Sequence, residues 1–199
     1  MSLTLLFQNN AIPNLRYFGF VGIDSGVTDS IHPDTTNYLA ETSAWTNIAH
    51  LTVGDTGSIA ARIAAMNAVG VKPVVDVSLL LYSGSPLTLR GTYASDWATF
   101  VANNPGISPA NTAALYVADE PFLRLCTYSD LNTGVNLVKA SYPTIPTLVI
   151  EAYTALAAMN LAGVTPVGAQ TGVPPKLDWY GFDLYQNDPT GGTYLAYLY

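Results

Sequence analysis

Seven of the fourteen acidic side chains stand at or near the ends of short apolar, β-rich runs: Asp24, Asp55, Asp76, Asp119, Glu120, Glu151 and Asp183. Carboxylates gathered in this way suit three kinds of work. One can pass a proton while a second serves as base or nucleophile. Several together can hold a hard cation. One alone can bind the amides of the turn that follows its strand. Asp24 and Asp55 suit that last role as well as a chemical one, and Asp119 could equally face away from the others. Glu120 is the strongest candidate for proton transfer, because Pro121 follows it and stiffens its turn.

Six such runs would carry these acids: residues 16–24, 47–55, 72–78, 113–120, 146–153 and 177–185. Between them, segments 36–45, 58–70, 93–104 and 128–142 repeat apolar residues at the helical period. Ser129 and Asp130 are placed to cap the last of these helices, and Gly70 to close the second. Residues 154–175 are punctuated by Gly and Pro and only briefly helical in pattern. Near-continuous apolar strands alternating with helices predict a parallel sheet covered by helices. The spacing of strand starts, roughly 25 to 40 residues, is that of a (β/α)8 TIM-type barrel. Residues 1–199 thus read as one TIM-barrel domain with six βα units, stopping before strands 7 and 8. In such a barrel every strand's C-terminal end opens on one face. Strand alternation puts Tyr116, Ala118 and Glu120 on one side, with Asp76 beside Val74 and Ser78, and Asp183 beside Gly181 and Tyr185. Asp76, Glu120 and Asp183 are therefore expected at a common mouth.

An open six-stranded sheet is the structural alternative. Its dinucleotide-binding form needs Gly-x-Gly-x-x-Gly at the first turn, whereas Gly19, Gly22 and Gly26 are out of register, and no phosphate-binding Gly-x-x-x-x-Gly-Lys loop occurs. A net charge of −7 disfavours nucleic acid and anionic membrane surfaces as partners. One cysteine, Cys126, excludes an internal disulfide and a cysteine metal site. The only histidines are His32, in a loop, and His50, mid-strand beside Thr52 and expected as a hydrogen-bonded interior residue. Two histidines are too few for the usual hydrolytic zinc site, so no metal and no cofactor is expected. No apolar run reaches bilayer length. Leu3–Phe7 is too short for the core of a leader peptide, and Met-Ser-Leu could replace a removed one. Few lysines with much Thr, Tyr, Asn and Gly suggest an extracellular protein. Nothing in the sequence specifies an oligomeric state.

YVADEP at 116–121 resembles the fourth-strand end of clan-A (β/α)8 glycoside hydrolases, and DWYGFDLY at 178–185 is similar to a pattern frequent at their sixth strand. The resemblance covers the layout of all six units and these two motifs. It implies hydrolysis of a poly- or oligosaccharide, with Glu120 as general acid/base. The family usually has Asn where this chain has Asp119, and it carries its nucleophile on a seventh strand, beyond the six units read here. Glycoside hydrolysis needs one carboxylic acid at the leaving oxygen and a second carboxylate. Glu120 has the setting for the first role, beside Tyr116, Phe122 and further acids. Glu151 and Asp183 are the supporting catalytic candidates. Asp24, Asp76 and Asp119 are candidates for binding sugar hydroxyls, with Tyr82, Tyr153, Trp179 and Tyr185 as flat platforms against a carbohydrate substrate. The competing readings are a non-catalytic glycan-binding or structural barrel module and a metal-dependent barrel enzyme.

Overall fold

In the computed structural model the described residues are 16–21, 23, 38–152 and 173–183. Six strands form one parallel sheet: β1 (Gly19–Phe20), β2 (Ile48–Thr52), β3 (Lys72–Asp76), β6 (Ala114–Asp119), β7 (Thr147–Ala152) and β8 (Trp179–Asp183). They pair in chain order, β1-β2-β3-β6-β7-β8, every pair parallel. The sheet is curled as half of a (β/α)8 barrel. All six strands fall inside the expected runs. Helices α1 (Leu39–Thr42), α2 (Ala60–Ala68), α4 (Tyr93–Asn103) and α5 (Tyr128–Ser141) fall inside the expected helical segments.

The region after β3 departs from expectation. Ser78 does not extend the strand but opens a short helix, α3 (Ser78–Leu81), and a two-stranded hairpin, β4 (Tyr82–Ser83) with β5 (Thr88–Leu89), follows. The hairpin is tied to the loop after β6, where the Leu87 N–H donates to the Arg124 carbonyl at 2.8 Å. The caps are also informative. Gly70 takes a left-handed conformation, φ 79°, after α2, as a helix-ending glycine should. The cap of α5 is Thr127 rather than Ser129 or Asp130, its hydroxyl accepting from the Asp130 N–H at 3.1 Å.

Strand alternation splits the sheet into two faces. Leu51, Val75, Leu115, Val117 and Val149 meet Ile63 and Met66 of α2, Trp97 and Phe100 of α4, and Leu131, Val135 and Val138 of α5 in the main apolar core. Burial of that order, roughly 1.5–3 kcal/mol per large apolar side chain, is what holds helices to sheet. The other face, the barrel interior, carries a smaller cluster of Val74, Ala114 and Tyr116, packed by Ile48, Leu148, Ile150 and Trp179. This inner face bears the polar residues discussed next.

Candidate active site

The inner face toward the C-terminal ends of β2, β3 and β6 is a connected set of polar side chains. His50 of β2 places Nε2 3.1 Å from Asp76 Oδ2 on β3, and its Nδ1 lies 3.4 Å from the Thr52 hydroxyl. A carboxylate can only accept, so Nε2 carries the hydrogen, and Nδ1 is left to accept from Thr52. The other Asp76 oxygen accepts the Ser78 N–H at 2.8 Å, so one carboxylate both orients His50 and starts α3. The His50 ring meets Tyr116 edge-on, centroids 5.8 Å apart, and the Tyr116 hydroxyl donates to Asp119 Oδ1.

Asp119 joins this set through a β-bulge. Leu115 and Tyr116 pair with Thr147 and Leu148, but Ala118 and Asp119 pair with Val149 and Ile150, leaving Val117 as the extra residue. Val117 and Ala118 therefore both enter the helix-side core, and Asp119 returns to the inner side with Tyr116. This corrects the expected grouping of Tyr116, Ala118 and Glu120 on one face, and also the thought that Asp119 faces outward. Glu120 follows directly, partly exposed, in a left-handed backbone conformation of φ 44°. That conformation turns the chain off the strand, so alternation does not define the side to which Glu120 belongs. Its N–H donates to the Ile150 carbonyl at 2.7 Å, and its own carbonyl accepts from the Arg124 N–H at 2.9 Å.

Glu151 does not line the mouth. It follows Val149 on the helix-side parity of β7 and is fully buried. Its carboxylate accepts the N–H groups of Phe122 (2.8 Å), Leu123 (3.3 Å) and Ala152 (2.9 Å). Burial raises its pKa against the lowering effect of those amides, and the Glu120 charge adds to the rise. Tyr180, on the same side of β8, has its phenol pushed up by burial and by Glu151.

Two aromatic candidates also stand away from the mouth. Tyr82 is 3% exposed, its hydroxyl directed at the carbonyls of Asp130 and Leu131 in α5, so it has no face to offer a ligand. Gly134 of α5 makes room for it, since a methyl there would collide with the Tyr82 hydroxyl. Trp179 begins β8, paired with Leu148 at the opposite end of the sheet from the acids, and packs on Tyr17 with centroids 5.6 Å apart. Asp55 takes the turn role, its Oδ1 accepting the Gly57 N–H at 2.7 Å. Asp183 ends β8, paired with Ala152. Asp24, Tyr153 and Tyr185 lie outside the described residues.

The sequence reading saw His50 as an interior residue but not its pairing with Asp76. Part of the signal was available: His50 lies two residues before the end of β2 and Asp76 is the last residue of the adjacent parallel strand β3, with Thr52 opposite Asp76 in the register. Among the described residues no three His, Cys, Asp or Glu side chains are grouped closely enough to hold a metal ion. No helix among them is long and apolar enough to cross a membrane.

No protein-family model matches the chain, and no curated protein matches it. Among solved structures it is similar to Saccharomyces cerevisiae Gas2p in complex with laminaritriose and laminaritetraose. That likeness has a TM-score of 0.54 at 15% identity, over 74% of this chain and 35% of that one. The fold is that of the (β/α)8 barrel. A ligand-free structure of yeast Gas2p superposes with a TM-score of 0.53 at 14% identity, over 85% of this chain and 40% of its own. The chain thus spans well under half the length of the proteins it resembles.

Proposed function

We propose that this chain is a glycoside hydrolase acting on a poly- or oligosaccharide, with Glu120 giving its proton to the leaving glycosidic oxygen. The observation that carries this reading is the backbone of Glu120. A non-glycine residue held at φ 44°, directly after the fourth strand of a (β/α)8 sheet, keeps a conformation that costs about 1–3 kcal/mol. Such a cost persists where the surroundings impose it, and barrel strand ends are where active sites are built. Beside it, Asp119 has one oxygen engaged, by Tyr116, whereas Asp76 accepts the Ser78 N–H on one oxygen and His50 Nε2 on the other, with lone pairs left on each. In this reading they accept hydrogen bonds from sugar hydroxyls, His50 holds Asp76 in place, and Asp183, at the end of β8, is the candidate second carboxylate. Because yeast Gas2p is seen with laminaritriose and laminaritetraose, laminari-oligosaccharides are the first probes to try. The same reading puts the protein outside the cell, where such glycans are met.

The test is Glu120→Gln. Hydrolysis of laminaritetraose should fall by about 10²–10⁴-fold, the usual contribution of a general acid, with the melting temperature and the affinity for the oligosaccharide kept. Unchanged turnover in the variant removes Glu120 from the mechanism. A wild type that binds the oligosaccharide without cleaving it makes the chain a glycan-binding module instead.

A further inference from the structure

Glu151 presents a puzzle of its own. A carboxylate with no exposed surface is expensive to bury, and no cation pays for it here: among the described contacts its partners are three backbone amides. An apolar side chain would fill the same space in a helix-side core at lower cost. What an apolar side chain cannot do is accept hydrogen bonds, and the donors concerned are not arbitrary. Pro121 has no N–H, so Phe122 and Leu123 carry the first two amides available after Glu120. Both donate to Glu151, at 2.8 and 3.3 Å. The preceding residue on β7, Ile150, takes the N–H of Glu120 itself at 2.7 Å. Two consecutive residues of β7 thus grip the chain on either side of Glu120, which between those grips adopts φ 44°.

We propose that Glu151 is a positioning residue for Glu120: by accepting the Phe122 and Leu123 amides it holds the turn that fixes where the Glu120 carboxyl stands. The inference rests on the reading of Glu120 as proton donor, and it gives Glu151 no contact with substrate. Positioning matters because a displacement of about 1 Å at a reacting group can cost on the order of 10²-fold in rate.

The decisive variant is Glu151→Gln, which keeps size and shape. It sets an NH2 group against at least one backbone N–H, because both carboxylate oxygens are in use as acceptors. Two substrates are compared in the full chain: laminaritetraose, whose leaving alcohol needs a proton, and nitrophenyl laminaribioside, whose leaving phenolate does not. Expected is a fall on the order of 10²-fold in kcat/KM for the first and a much smaller fall for the second. The double variant Glu120→Gln, Glu151→Gln should be no slower than Glu120→Gln alone. In hydrogen exchange, the Phe122 and Leu123 amides should lose protection while those of β6 keep theirs. If Glu151→Gln does not fold, Glu151→Asp, which retains the charge but withdraws it by one methylene, is put through the same comparison. Equal loss on both substrates, additive losses in the double variant, or retained protection of the two amides overturns the positioning role and leaves the Glu120 reading standing. A Glu120→Gln enzyme as active as wild type, or a wild type inert on both substrates, overturns both.

Discussion

Removing the Asp76 carboxylate gives a direct measure of how tightly the inner polar wall is built. Asp76 is 7% exposed and accepts two hydrogen bonds, from the Ser78 N–H at 2.8 Å and from His50 Nε2 at 3.1 Å. Asp76→Ala deletes both and strands two donors. A lost bond whose donor water can reach costs about 1 kcal/mol, and one whose donor is left buried without a partner costs about 1–3 kcal/mol in all. His50 keeps 18% of its side chain accessible, so water can relieve part of its share. The sum is a destabilisation of roughly 2–4 kcal/mol, or about 5–15 °C in melting temperature for a domain of this size. Asp76→Asn should behave differently. Its remaining oxygen still accepts from Ser78, and its NH2 can donate to Nε2 once the imidazole hydrogen moves to Nδ1, where the Thr52 hydroxyl lies at 3.4 Å. The expected loss for Asn is therefore below about 1 kcal/mol. Urea unfolding with a common slope separates the two variants. The reasoning fails if Asp76→Ala is within about 0.5 kcal/mol of wild type, or if Asn costs as much as Ala.

Two further outcomes follow from residues that hold the site's scaffold. Gly134→Ala should gain up to about 1 kcal/mol of helix propensity but lose about 1–3 kcal/mol to overpacking against the Tyr82 hydroxyl; chemical denaturation should show a net loss, partly relieved in a Tyr82→Phe background. Burial works against ionised Asp178, but its hydrogen bonds with Lys139 at 2.8 Å and with Thr147 outweigh it and hold its pKa below the usual 3.8. A depressed folded pKa means stability that is present above 3.8 and is lost as the pH falls through the folded value. Thermal melts of wild type and Lys139→Ala in acid should converge as the pH drops below that range, whereas a constant gap would show that the pair does not link stability to pH.

The sequence by itself determined the layering of the sheet and favoured its order. Apolar strands alternating with helices of 3.6-residue period bury their surfaces as a parallel sheet covered by helices. The spacing of the units favoured the barrel order β1-β2-β3-β6-β7-β8, while the reversed order of an open sheet was excluded only by the strand pairing. Gly70 was legible for the same local reason, since few other residues end a helix in the left-handed region. Tertiary structure decided which acid faces where. Counting alternate residues along 113–120 fails at Val117, because a bulge is defined only against the partner strand and moves every later residue to the other side. Along β7, Thr147, Val149 and Glu151 alternate with Leu148 and Ile150, and both sets contain apolar residues, so sequence parity could not say which set meets the helices. Tyr82 and Trp179 looked like rim aromatics because both stand near a strand end. A hairpin and Gly134 put the first in the core, and the direction of β8 put the second at the far end of the sheet. Glu151 is the sharpest case. Its residue type pointed to chemistry, but its surroundings, three amides and no water-exposed surface, make it an acceptor for the turn beside Glu120. Residue types mark where chemistry could occur; only the pairing of strands and the hydrogen bonds between them fix which groups can meet a ligand.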